Sequence, residues 1–140
     1  MSELLKLRQE HAQLVEIVGR LSKVINQPHP PAQNELYTLR RELSSTLIAH
    51  LKAEDWVLYP RLFASMDKKV AQTARAFSEE MGGLAQAYTA YADKWTATAI
   101  EQDWRGYCGE TQGIIEALTC RINRENRELY PLLEALDKAA

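Results

Sequence analysis

Four stretches of this chain carry apolar residues at alternating spacings of three and four, and this period constrains the fold more than any other feature. Such spacing places side chains on one face of an α-helix, so each stretch predicts one amphipathic helix. Helix A spans about residues 3–25, helix B runs from about residue 36 to Pro60, helix C spans about 68–98, and helix D spans about 103–130. The predicted inward positions are Leu4, Leu7, His11, Leu14, Val18, Leu21 and Ile25 in A; Leu36, Leu39, Leu43, Leu47, His50, Glu54 and Val57 in B; Val70, Ala74, Phe77, Met81, Leu84, Tyr88, Tyr91 and Trp95 in C; and Trp104, Cys108, Thr111, Ile115, Leu118, Arg121 or Ile122, Glu125 and Leu129 in D.

The connections between these helices are short. Proline cannot continue a helix, so the segment with Pro28, Pro30 and Pro31 predicts a loop between A and B. No segment shows the period-two alternation of a β-strand. Four long helices with connections of about 3–8 residues predict an all-α protein, an antiparallel up-down-up-down four-helix bundle. A chain of 140 residues has the length of one domain, which we expect to span residues 1–140.

The second half of the chain repeats the first. Residues 49–62 align with residues 120–133 at an offset of 71, and each copy contains a glutamate followed by Leu-Tyr-Pro-x-Leu. At an offset of 70, Glu10 and His11 of helix A align with Glu80 and Met81 of helix C. Helix A therefore resembles C as B resembles D, and the bundle is predicted to contain an internal pseudo-twofold repeat.

Charge and composition exclude several classes of function. The 17 lysines and arginines nearly balance the 19 aspartates and glutamates, and no basic block offers a surface to phosphates, so nucleic acid is disfavoured as a partner. No apolar run reaches the roughly 18–20 residues that span a bilayer, and the first residues lack the layout of a signal peptide. We therefore expect no membrane partner and a cytoplasmic location. Cys108 and Cys120 lie too far apart along one predicted helix to form a disulfide, so we expect both to be reduced thiols.

Five ionisable residues occupy inward positions of the predicted helices: His11, His50, Glu54, Arg121 and Glu125. A buried ionisable group costs several kcal/mol unless it is paired, hydrogen-bonded or bound to a metal. In both B and D an inward residue is followed four positions later by a glutamate on the same face. Two histidines and two glutamates that converge on a bundle axis form a ligand set for divalent iron, manganese or zinc.

At this point the sequence resembles the hemerythrin-like proteins with the HHE cation-binding domain. The matching residues are Glu10 and His11 in helix A; His50, Glu54, Leu58, Tyr59 and Pro60 in helix B; and Glu125, Leu129, Tyr130 and Pro131 in helix D. The resemblance implies a four-helix bundle that binds two non-haem irons through one histidine from A, one from C, and a histidine with a glutamate from each of B and D. It also implies roles in oxygen or nitric-oxide binding, iron handling, repair of iron centres, or sensing.

The chain departs from that pattern at two positions. The helix C histidine of the family aligns with Met81 and the helix D histidine with Arg121. A thioether is a weak ligand for iron, and a guanidinium keeps its proton and its charge. Because the repeat equates Met81 with His11 and Arg121 with His50, one half-site has lost both histidines, whereas the other keeps its own.

Three interpretations follow. In the first, which we favour, the chain binds or senses a ligand without catalysis, and one iron ion is held by His11, His50, Glu54 and Glu125, with Arg121 in place of the second cation. In the second, no metal binds, Arg121 forms an ion pair with Glu54 or Glu125, and the chain is a regulatory or interaction module. In the third, the chain is an iron-dependent redox protein acting on oxygen or nitric oxide. A protein partner or a homodimer is compatible with each, since small residues form a stripe along 106–120 that suits close helix packing.

Other features give local expectations. Tyr59-Pro60 and Tyr130-Pro131 are predicted to terminate helices and to cover the end of the bundle. Trp56 is expected to pack in the core with the other aromatic residues of the predicted faces. The pair Gly82-Gly83, unfavourable inside a helix, predicts either a kink beside Met81 or a close approach of another helix.

Overall fold

The computed structural model describes residues 2–139, and its helices account for most of that length; the predicted domain ends at residues 1 and 140 lie outside it. Within residues 2–139 the α-helices are α1 (Ser2–Ile25), α2 (Gln33–Lys52), α3 (Tyr59–Phe63), α4 (Lys68–Met81), α5 (Leu84–Lys94), α6 (Ala97–Gln102), α7 (Trp104–Arg124) and α8 (Tyr130–Ala139). Two π-helical segments, π1 (Ala53–Leu58) and π2 (Glu125–Leu129), join α2 to α3 and α7 to α8. No strand occurs within residues 2–139, so the all-α prediction is confirmed.

Both predicted helix terminators were wrong. The chain passes from α2 through π1 into α3, and from α7 through π2 into α8, without a loop at Pro60 or Pro131. In each π-helical segment the hydrogen bond spans five residues: the Tyr59 N–H donates to the carbonyl of Glu54, and the Tyr130 N–H donates to that of Glu125. Each proline is then the second residue of a new helix, where its missing N–H is tolerated.

Predicted helix C is divided. At Gly82-Gly83, where the sequence predicts a kink or a close helix approach, the helix is interrupted: α4 ends at Met81 and α5 begins at Leu84. A second break follows Lys94, and α6 begins after Thr96, whose hydroxyl accepts a hydrogen bond from the Ala99 N–H. That bond caps the helix N-terminus and satisfies one of its free donors.

The helices pack as a bundle around two apolar clusters. Helix α1 contacts both α2 and α7, and α5 packs against α7, around the larger cluster. The smaller cluster joins the first turns of α1 to α3, α4 and π2. Along α1, Leu7 belongs to the smaller cluster and Leu14 to the larger, and His11 lies between them. A buried polar layer therefore separates two apolar regions.

The first π-helical segment also changes which residues face inward. Val57, predicted to face the core, is 52% exposed, and Leu58 is buried in its place. Trp56, expected in the core, is 72% exposed and lies beside the ammonium group of Lys52. The wide turn inserts the equivalent of one residue and rotates the following side chains, so the inward spacing shifts by one position.

The structure describes two features for which the sequence gives an expectation, namely membrane-spanning helices and the state of the two cysteines. No helix within residues 2–139 combines the length and the apolar character needed to cross a membrane. Cys108 and Cys120 are free thiols, as expected, and Cys120 is exposed.

Candidate metal centre

The four predicted ligands converge in the buried polar layer. His11 comes from the middle of α1, His50 from the last turn of α2, Glu54 from π1 and Glu125 from π2. One ligand atom from each side chain lies within 4.8 Å of the others, and all four side chains are buried. The structure therefore brings together the complete set of histidines and glutamates that the sequence predicted as metal ligands.

The two π-helical segments account for how the carboxylates and their tyrosines face the same layer. Each segment ends in a buried leucine that is followed directly by a buried tyrosine, Leu58 by Tyr59 and Leu129 by Tyr130. A regular helix rotates about 100° per residue, whereas the wider π turn allows additional neighbouring side chains to face the core. Short π-helical insertions are frequently found at functional sites.

Two outer residues orient the histidine rings. The Nδ1 atom of His50 lies 2.6 Å from Glu10 Oε1, and Nδ1 of His11 lies 2.8 Å from Asn126 Oδ1. A carboxylate oxygen and an amide oxygen can only accept, so we assign the ring proton to Nδ1 in both histidines. Each Nε2 atom then faces the centre of the layer with its lone pair, the orientation found in metal-ligating histidines.

The Nε2 atoms face carboxylate oxygens. His11 Nε2 lies 3.1 Å from Glu125 Oε1, and His50 Nε2 lies 3.1 Å from Glu54 Oε1. The His50 contact does not meet the geometry of a hydrogen bond, so this buried nitrogen has no hydrogen-bond partner among the described residues. A lone pair and an anionic oxygen that face each other at this distance require a cation or a proton between them. The donor set therefore fits one metal ion.

Arg121 approaches the two carboxylates from another direction. Its Nε atom donates to Glu125 Oε2 at 3.2 Å, and its Nη2 atom donates to Glu54 Oε1 at 3.2 Å and to Asp55 Oδ1 at 2.6 Å. Its Nη1 atom donates to the backbone carbonyl of Met81 at 3.3 Å. The buried guanidinium is therefore held by four acceptors. The Met81 side chain itself packs against the smaller apolar cluster, as its apolar character predicts.

Two tyrosine hydroxyl groups brace the carboxylates. Tyr59, five residues after Glu54 in the sequence, donates to Glu125 Oε2 at 2.7 Å. Tyr130, five residues after Glu125, donates to Glu54 Oε2. The backbone carbonyl of each glutamate thus accepts from the N–H of the tyrosine that follows its own π segment, and its carboxylate accepts from the hydroxyl of the other tyrosine. These bonds fix the orientation of both carboxylates.

Five contributors to this centre were not expected from the sequence. Asn126, Asp55 and the hydroxyl groups of Tyr59 and Tyr130 were not predicted to take part, and Glu10 was noted only as part of a motif. Three of them could have been predicted from the sequence, because Glu10, Asp55 and Asn126 are each directly adjacent to a predicted ligand. Polar neighbours of a ligand are natural candidates for its outer hydrogen bonds.

Burial and close charges shift the ionisation of these groups. Burial opposes the charged form of His50, but Glu54 and Glu10 outweigh it and raise its pKa above the usual range. Burial likewise acts to raise the pKa of Glu54, yet His50 and Arg121 bring the net pKa below its usual range. Burial together with the charge of Glu54 leaves the pKa of Glu125 raised. Positive charge is therefore favoured at this centre.

Comparison with known proteins gives one match. A family model described as the hemerythrin HHE cation-binding domain matches residues 4–133, which cover the whole polar layer and both apolar clusters. No curated protein and no solved structure matches the chain.

Proposed function

The chain belongs to the hemerythrin HHE cation-binding family, and from this premise we propose that it binds a single non-haem iron ion through His11, His50, Glu54 and Glu125. The observation that carries the proposal is the inward Nε2 atom of His50, which is buried 3.1 Å from a carboxylate oxygen without a hydrogen bond. Imidazole and carboxylate together suit divalent iron better than softer ligands would.

Arg121 takes the position of a second cation in this proposal. It supplies one positive charge to two fully buried carboxylates and donates to an oxygen of each. Glu54 and Glu125 then need one further positive charge, which one divalent ion more than supplies, and the carboxylates of Asp55 and Glu10 beside Arg121 and His50 add further negative charge. The guanidinium already occupies oxygens of both buried carboxylates that a second ion would need as ligands. The arginine therefore limits the centre to one ion.

The role we propose is binding or sensing of a small ligand rather than catalysis. An iron ion with four protein ligands has room for an exogenous ligand and supplies affinity for small molecules such as dioxygen or nitric oxide. General acid–base catalysis needs a group that is free to exchange protons at the reacting atom. Here the hydroxyl groups of Tyr59 and Tyr130 already donate to carboxylates, and Arg121 donates to four acceptors.

A metal-free regulatory module is the second candidate. It is favoured by the hydrogen bonds from Arg121 to Glu54, Glu125 and Asp55, which neutralise carboxylate charge without a metal. The raised pKa of His50 favours a protonated imidazole, which would supply the remaining positive charge. In this case the function would depend on the helical surface and on a protein partner.

The architecture behind the site is also our proposal. An up-down-up-down topology is supported by the contacts of α1 with α2, since Glu10 pairs with His50 and Arg20 with Glu42. A pseudo-twofold repeat is supported by the two π-helical segments, which end at matching positions of the sequence repeat, Leu58 and Leu129. We further propose one domain over 1–140 and a cytoplasmic location. We also propose a homodimer through the small-residue stripe, because a Cβ added at Gly109 or Gly113 would meet no atom within 4 Å and this face is therefore open to a second helix.

The metal content of the reconstituted protein tests the proposed function. Protein purified without a histidine tag is loaded anaerobically with ferrous iron, desalted and examined by elemental analysis. We expect about one iron per chain, because four protein ligands surround one position and Arg121 occupies the other. No iron, with a melting temperature unchanged by metal, would instead establish the metal-free module. Two ions per chain would show that Arg121 does not exclude the second.

A further inference from the structure

The hydroxyl group of Tyr130 lies inside the cluster of proposed ligands. Its oxygen is 3.2 Å from His11 Nε2 and donates to Glu54 Oε2, so it contacts one ligand from α1 and one from π1. Its ring stacks on the His11 imidazole, with centroids 5.0 Å apart and an interplanar angle of 14°. Tyr130 is completely buried, and the stacking restricts the positions that its oxygen can take.

The distances around this oxygen are those between ligands of one ion. For metal–ligand bonds of about 2.1 Å, two neighbouring ligands at right angles are about 3 Å apart. His11 Nε2 lies 3.1 Å from Glu125 Oε1, and the Tyr130 oxygen lies 3.2 Å from the same nitrogen. The Tyr130 oxygen is therefore as close to His11 Nε2 as a proposed carboxylate ligand is.

The equivalent tyrosine of the repeat has different surroundings. The Tyr59 hydroxyl donates to Glu125 Oε2, the same oxygen that accepts from Arg121 Nε. The Arg121 guanidinium carbon lies 5.5 Å from the centre of the Tyr59 ring. Tyr59 thus lies on the arginine side of the layer and Tyr130 on the histidine side. Only the latter contacts a histidine nitrogen that faces the centre.

We propose that Tyr130 is a fifth ligand of the bound ion through its phenol oxygen, and that it favours ferric iron. This inference rests on the proposed function, because it needs an ion at the four-ligand cluster. An anionic phenol oxygen is a hard ligand, and tyrosine ligation of iron occurs in other proteins. Binding ferric iron forms one iron–oxygen bond, breaks the Tyr130 O–H bond and releases the proton to solvent. A bound cation reverses the local preference for the neutral phenol.

Visible absorption of ferric protein tests this ligand. Iron is supplied as a ferric nitrilotriacetate complex, so no oxidation is needed, and excess complex is removed before the spectrum is recorded. We expect a phenolate-to-iron charge-transfer band in the wild-type protein and in Tyr88→Phe, and loss of that band in Tyr130→Phe. Tyr88→Phe is the control because it removes a buried tyrosine hydroxyl group that contacts Ser44, outside the cluster of proposed ligands.

Two further measurements separate the outcomes. Elemental analysis of each sample gives the iron content, so that iron-loaded wild-type protein without the band would overturn the Tyr130 proposal and leave the four-ligand site standing. An iron-free wild type would overturn both. Resonance Raman spectra of iron-loaded wild-type protein with ring-deuterated tyrosine avoid any effect of substitution on folding, and we expect phenolate modes that shift on deuteration. In the absorption spectra, a charge-transfer band of unchanged intensity in Tyr130→Phe would contradict the assignment to Tyr130.

Discussion

Replacing Arg121 with alanine is expected to lower the free energy of unfolding by about 3–5 kcal/mol in the metal-free protein. The substitution leaves Glu54 and Glu125 fully buried without the cation that donates to both, and it also removes the partner of Asp55. An uncompensated buried charge costs far more than the ion pair contributes by itself. Urea melts in the presence of a chelator measure the loss without a contribution from bound metal.

Two variants show whether this loss comes from charge. Arg121→Met keeps most of the side-chain volume, so it should lose stability to a similar degree if unpaired carboxylates are the cause. Arg124→Ala removes an arginine three residues further along α7, at its C-terminus, where the guanidinium contacts the exposed carboxylates of Glu80 and Glu128. Exposed ion pairs contribute little, and the contact of this guanidinium with the Phe77 ring contributes about 1 kcal/mol, so a much smaller loss is expected there than at Arg121. Equal melts for Arg121→Ala and wild type would contradict a buried ion pair.

Replacing His50 with alanine is expected to abolish iron binding. His50 supplies the inward Nε2 atom beside Glu54, and its ring is already oriented by Glu10. Removing an outer hydrogen-bond partner typically weakens metal binding by about 10–100-fold, so removing a ligand should cost at least the upper end of that range. Equilibrium titration with ferrous iron under nitrogen measures the affinity, and elemental analysis measures the content.

His29→Ala is the matched control for this substitution. His29 is exposed in the loop between α1 and α2 and is not part of the cluster. Iron content should stay at about one per chain in His29→Ala and fall to none in His50→Ala, with equal helical content by circular dichroism. Full iron content in His50→Ala would place the metal elsewhere and refute the ligand set.

The helical period predicted the parts of the fold that depend on local sequence. Spacing alone placed His11 and Glu125 on inward faces, and both are buried. An ionisable residue in an apolar face must have a partner, whatever the topology, so these positions point to a shared polar layer. The same reasoning predicted that Arg121 faces Glu54 or Glu125, and it donates to both.

The π-helical segments could not be predicted in this way. A hydrophobic stripe retains its spacing until the wide turn inserts one residue, so Val57 satisfies the pattern although Leu58 takes the buried position. Proline at 60 then resembles a terminator, because the pattern does not show that a new helix begins at Tyr59. The cross-bonds from Tyr59 and Tyr130 depend on contacts between distant segments, which periodicity does not contain.

The most direct test of a single cation beside Arg121 is anomalous diffraction at the iron edge from crystals of protein reconstituted with ferrous iron. The account predicts one strong peak in the polar layer, within bonding distance of the Nε2 atoms of His11 and His50, with the Arg121 guanidinium still in contact with Glu125. A map without a peak in this layer, or with a second peak that displaces the guanidinium, would contradict it.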